Sequence, residues 1–147
     1  MKSFVETILI HAPVERVWQV MTDVDRWHEW TPSITGITRQ EATPLGLGSR
    51  VVVRQPKLLP APLTVTAFTP NQSFTWEGKS PGLHTIAHHR VEAAAEGCRA
   101  TLVLKFHGLL SGLVARLAGG LVARYVRWEA EGLKARSEHP EYFHSAV

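Results

Sequence analysis

His89, Gln55 and Tyr125 are polar side chains placed among apolar ones, each at the spacing its own segment dictates. His89 alternates with Ala87 and Val91 on a period-two run. Gln55 shares a face with Val51 and Val53, and Tyr125 falls in an apolar arc of a helical stretch. A buried imidazole, amide or phenol needs a partner, because leaving one unpaired costs roughly 1–3 kcal/mol. Either they pair with one another or a ligand oxygen completes the set. An imidazole so placed can act as a general acid or base near neutral pH, and with Tyr125 as an oxyanion-side donor it could polarise a ketone or assist a dehydration. A histidine simply hydrogen-bonded inside a core is the commoner arrangement, and the pattern alone favours it. Glu129 falls between Tyr125 and Leu133 rather than with the charged strip of the helix. Near a helix end it is expected to reach out to water, and only if enclosed does it become a candidate acid.

The helix carrying Tyr125 and Glu129 reads from 110 to 138. At about 100° per residue, Leu110, Val114, Leu117, Leu121, Tyr125 and Trp128 gather into one apolar arc, with Arg116, Arg124, Arg127, Glu131 and Lys134 beside it. A one-faced helix must lie against something, and everything upstream reads as short strands, so the expected partner is a curved antiparallel sheet. Gly119-Gly120 interrupts the helix at a cost of about 1 kcal/mol per glycine relative to alanine, and predicts a bend or a close approach.

Upstream, Phe4 to Ile10 is β-rich, Pro13 suits a first helical position, and Val14, Val17, Trp18 and Met21 follow at helical spacing. Asp23 and Asp25 are plausible caps for a second short helix carrying Trp27 and Trp30. Further strands read at 33–39, 50–55, 63–68, 73–78, 83–93 and 99–107. A minimal turn at Pro70-Asn71 sets Val65 opposite Trp76 and Ala67 opposite Phe74. The last hairpin sets Val91 against Ala100, His89 against Leu102, Ala87 against Leu104 and Thr85 against Phe106. Both hairpins then have one dry and one wet side, as a sheet covered by a helix should. The expected fold is α+β: a seven-stranded curved antiparallel sheet wrapped around a long C-terminal helix, with two short helices after the first strand. Residues 1–138 form one domain and 139–147 a mobile tail.

Composition narrows the function classes. With 147 residues, 44% of them hydrophobic, the chain can build a single ordinary core. A net charge of +3, with basic residues scattered among acidic ones, gives no nucleic-acid footprint. No apolar run is long enough to span a bilayer, the N-terminus leads straight into a strand without a signal-peptide layout, and Cys98 is the single cysteine. The expectation is a soluble cytoplasmic protein. Among the eight histidines, His88 and His89 point to opposite faces, and only His84 and His107 can meet, which is too few for a metal site. A Ser-His-Asp arrangement, a phosphate loop and a dinucleotide fingerprint are absent, so neither metal nor cofactor is expected.

Three stretches, Ile10-His11-Ala12-Pro13-Val14-Glu15-Arg16-Val17-Trp18, Asp23-Val24-Asp25-Arg26-Trp27-His28-Glu29-Trp30 and Gly46-Leu47-Gly48-Ser49, occur in this order. They are followed by Ser73-Phe74-Thr75-Trp76 and Glu129-Ala130-Glu131-Gly132-Leu133-Lys134. In these pieces and their spacing the chain resembles the Bet v 1-like, START-related helix-grip (SRPBCC) superfamily, and within it the polyketide cyclase/dehydrase and lipid transport group. The resemblance implies a cavity between sheet and helix that takes apolar small molecules such as lipids, sterols or polyketides, with or without catalysis. On that basis Trp27, Trp30, Trp76, Leu104, Phe106, Leu117 and Leu121 are expected to line the cavity, and Gln55, His89 and Tyr125 to orient a ligand. Leu58 and Leu59, between prolines, are candidates for a lip over its mouth. Three functions follow as expectations: a binding protein for an apolar or amphipathic small molecule, a cyclase or dehydratase using His89 and Tyr125, or a protein-interaction module using the outer sheet face or the Leu58-Leu59 loop.

Overall fold

The structure, a computed structural model, describes residues 2–139. Strand β1 (Lys2–Ile10) is followed by helix α1 (Val14–Thr22) and a 3-10 helix (Val24–Glu29). Then come β2 (Gly36–Arg39), β3 (Arg50–Arg54), β4 (Ala61–Thr69), β5 (Ser73–Ser80), β6 (Leu83–Ala94), β7 (Gly97–His107) and the long helix α2 (Ser111–Glu138). The strands form one sheet in the order β1-β7-β6-β5-β4-β3-β2, every neighbouring pair antiparallel. This is the expected α+β helix-grip architecture. The expected tail lies outside the described residues, apart from His139.

The β6–β7 hairpin has the register expected from its alternation, including His89 opposite Leu102 and Ala87 opposite Leu104. The β4–β5 hairpin departs from expectation. Val65 meets Trp76, but Ala67 meets Thr75 and Phe68 meets Phe74, with a bulge between Val65 and Ala67. Its turn holds three residues rather than two, with Asn71 at φ 61°. The extra turn residue and the bulge together put Phe68 rather than Ala67 against Trp18 and Phe74. Burying a phenyl ring instead of a methyl group favours this register by the apolar area gained.

Helix α2 is held along its C-terminal half. Arg136 bonds to Glu29 at 2.8 Å, the Lys134 ammonium donates to the Leu9 carbonyl at 3.1 Å, and Glu138 accepts the His11 backbone N–H at 2.7 Å. At Gly132 the helix backbone lies so near Trp30 that an added Cβ would stand 2.0 Å from the Trp30 carbonyl oxygen. A helix is a stiff rod, so this close approach sets the rotation of its whole length.

That rotation differs from the expected one by roughly 100°, about one residue. Val122, Tyr125, Val126, Ala130 and Leu133 are buried, whereas Leu110, Leu113 and Leu117 are exposed, Leu117 at 77%. The helix runs unbroken through Gly119-Gly120. A Cβ at Gly119 would meet the Phe4 ring at ordinary contact distance and one at Gly120 would meet nothing, so neither glycine is required by a close neighbour.

Candidate functional site

Between the concave sheet and the N-terminal two-thirds of α2 lies a cavity of about 420 Å³. Its floor comes from β5, β6 and β7 through Trp76, Ala87, His89, Leu102, Leu104 and Phe106, and Trp27 of the 3-10 helix closes the inner end. Helix α2 supplies Val114, Ala118, Val122, Tyr125, Val126 and Glu129 as the roof, and Gln55, Lys57, Leu58 and Leu59 surround the mouth. The space exists because the side chains on either side are short where they would otherwise meet. Ala87 and Thr85 are on the strand side, and Ala118 is on the helix side. Larger residues there would fill the gap and leave a solid core.

His89 is 3% exposed and fixed on three sides by rings. It stacks on Phe74 with centroids 4.2 Å apart and planes 9° from parallel, and lies 5.2 Å from Trp76 and 5.5 Å from Trp27. Its Nδ1 lies 3.4 Å from the Phe74 carbonyl oxygen, a partner that can only accept. That contact puts the proton on Nδ1 and leaves the Nε2 lone pair free. Nε2 faces the Glu129 carboxyl at 3.8 Å, beyond hydrogen-bond length. Burial drives the imidazole down to about 3, against the smaller upward effect of the Phe74 carbonyl, and raises the Glu129 carboxyl to about 8. At neutral pH the pair is therefore uncharged: a carboxylic acid that can donate beside an imidazole that can accept.

Glu129 thus does not reach out to water as expected from its place on the helix; its side chain is only 17% exposed. Tyr125 lines the cavity, but its hydroxyl donates to the Pro56 carbonyl at 2.5 Å. It ties the mouth loop to α2, and its proton is committed there rather than offered to a ligand. Trp27, Gln55, Trp76, His89, Leu104 and Phe106 all stand in the cavity wall. Three residues expected there do not. Trp30 is buried against Trp27 and the Gly132 backbone, and Leu117 and Leu121 lie outside the wall because α2 is turned away from the expected arc. The roof is instead the stripe Val114, Ala118, Val122 and Val126, spaced four residues apart. That spacing was present in the sequence, but its small side chains carry less apolar weight than the leucines beside them.

Elsewhere, His84 and His107 do approach on the outer face, with ring centroids 6.0 Å apart, and His84 bonds to Glu77 at 2.7 Å. Cys98 lies in β7, and burial holds its thiol above the usual range.

Comparison with curated proteins finds no match. Solved structures share the fold. A hypothetical protein from Helicobacter pylori superposes with a TM-score of 0.80 at 16% identity, covering 92% of this chain and 88% of that one. A protein from Thermus thermophilus gives 0.75 at 16% identity, covering 92% and 97%. The Zhui aromatase/cyclase from a Streptomyces species gives 0.76 at 15% identity, covering 95% of each. No helix among the described residues is long and apolar enough to cross a membrane. A family-wide match extends over residues 1–138, the whole gripped helix and its sheet, and by it the chain belongs to the polyketide cyclase/dehydrase and lipid transport family.

Proposed function

We propose that the protein binds a compact apolar or aromatic small molecule bearing an oxygen function. The rings or chain would fill the cavity, and the oxygen would meet the His89–Glu129 pair. The observation that carries this reading is a hollow of about 420 Å³, within the range of roughly 300–1,000 Å³ typical of ligand sites, apolar but for a few convergent polar groups. The family's description, which joins cyclase chemistry with lipid transport, supports the same class of ligand. A neutral donor beside a neutral acceptor suits a hydroxyl or carbonyl better than a carboxylate, whose charge would be left without a counterion in this enclosure. A naphthol titration tests the proposal: saturable binding is expected, weakened at least tenfold in Ala118→Trp, which fills the hollow, with the thermal unfolding midpoint little changed. Equal binding by both proteins would overturn it.

A second reading, dehydration or cyclisation of a polyketide-like substrate, is favoured by the 3.8 Å separation of a neutral acid and a neutral base. His89 Nε2 would take a proton from the carbon beside a carbonyl while Glu129 protonates the departing hydroxyl. A C–H and a C–O bond break, a C=C bond forms, and water leaves. The His89 proton then returns to the Glu129 carboxylate, restoring both groups. Replacing His89 by Ala is expected to lower turnover of a β-hydroxyketone by at least 100-fold while weakening its binding only severalfold. Loss of binding and turnover in equal measure would reduce the site to a receptor.

A further inference from the structure

Of the apolar arc read from the sequence as the buried face of α2, Leu110 and Leu117 stand in solvent, while Tyr125 is buried and Val114 lines the cavity. Leu109 is 97% exposed, Leu117 77%, and Leu110 and Leu113 are exposed as well. At about 100° per residue, Leu110, Leu113, Leu117 and Arg124 fall within a sector of roughly 60°, and Arg116 flanks it. The other flank continues through Leu121 to Val114, which lines the cavity. Across the mouth lie Lys57, Leu58 and Leu59, with Leu59 88% exposed. A protein that stays single in water rarely leaves so many large apolar side chains together on its surface.

The charges on this face are less evenly mixed than the net value suggests. None of the 13 Asp and Glu residues falls in 42–76 or in 97–128, the stretches that supply the mouth loop and the N-terminal part of α2. Lys57, Arg116 and Arg124 are exposed there. A second copy of the chain is a poor occupant, because a two-fold contact centred on this face would set its cations against their own copies. An anionic lipid surface answers both features: headgroups for the cations and acyl chains for the leucines. The helix is too short in apolar residues to cross a bilayer but suits lying on one.

We propose that this face, Leu59 with Leu109, Leu110, Leu113 and Leu117 ringed by Lys57, Arg116 and Arg124, docks on anionic membranes and turns the cavity mouth to the lipid phase. A water-insoluble ligand would then pass between bilayer and cavity without crossing bulk water. That transfer rests on the binding function proposed above; the docking does not.

Vesicle flotation tests the docking, using phosphatidylcholine alone and phosphatidylcholine mixed with phosphatidylglycerol in equal parts. Binding to the anionic vesicles is expected to be at least tenfold tighter and to weaken with salt. It should fall about fivefold for each of Lys57→Gln, Arg116→Gln and Arg124→Gln. The pair Leu59→Glu and Leu117→Glu, both on exposed side chains, should reduce it at least tenfold while the unfolding midpoint stays put. Absence of binding, equal binding to both vesicle types, or binding that survives the leucine pair would overturn the proposal. So would a dimer in sedimentation velocity that the leucine pair abolishes, which assigns the face to a second copy. Polyglutamate binding as tight as vesicle binding and indifferent to the leucines assigns it to an acidic protein. Naphthol titration of the same samples reads the cavity separately, so failure of docking and failure of ligand binding are told apart.

Discussion

Replacing Glu129 by Gln is expected to make the protein more stable than its parent, by a margin that grows on the order of 4 kcal/mol between pH 4.5 and pH 8. Burial raises this carboxyl from 4.5 to about 8 in the folded protein, with no neighbouring cation to offset it. Above pH 4.5 the unfolded chain releases the proton while the folded one keeps it, so stability is lost as pH rises, until the folded carboxyl ionises as well. His89 works in the other direction. Its folded value lies near 3 against 6.5 unfolded, so stability is lost as pH falls below 6.5. Between 4.5 and 6.5 the two trends cancel, because each state binds one proton across the pair. The pair therefore contributes a plateau in that interval and a decline on either side, and a glutamine at 129 leaves the histidine's trend alone: stability that rises with pH up to about 6.5 and is level above it. Urea unfolding of both proteins across this range measures the difference directly, other groups being common to the two. A margin independent of pH would mean that Glu129 ionises normally and that the neutral donor of the proposed site does not exist.

Gly132→Ala is expected to cost about 3 kcal/mol, lowering the unfolding midpoint by roughly 10 °C. The added methyl would stand 2.0 Å from the Trp30 carbonyl oxygen and 2.9 Å from its ring, and a backbone atom cannot rotate away. Relief requires α2 to lift from the 3-10 helix, which loosens the Arg136 bond to Glu29 and unpacks Trp30. The gain in helix propensity from glycine to alanine, about 1 kcal/mol, offsets only part of this. Gly120→Ala provides the control, since open space surrounds that position and only the propensity gain applies. Equal stabilisation by both substitutions would show that α2 does not approach Trp30 so closely, and the account of how the helix is oriented would fail with it.

The alternation of Ala87, His89 and Val91 against Ala100, Leu102 and Leu104 was sufficient to place the imidazole on the dry side, because a strand offers only two faces and a hairpin repeats the choice. The order of elements, and with it the gripped-helix architecture, was likewise legible from period and punctuation, and the family resemblance pointed to the same fold. A helix offers no such binary choice. Two apolar stripes about 100° apart lie on α2, one of leucines and one of valines and alanines, and local pattern ranks the leucines first. What decided between them was the contact of Gly132 with Trp30, a hundred residues away in the chain. By turning the rod one residue, it brought Glu129 in beside His89, placed Ala118 over the hollow, and left the leucines in solvent around the mouth. The sequence by itself determined which groups could face the interior of the sheet; the rotation of a rigid helix, set by one long-range steric contact, decided which of them meet.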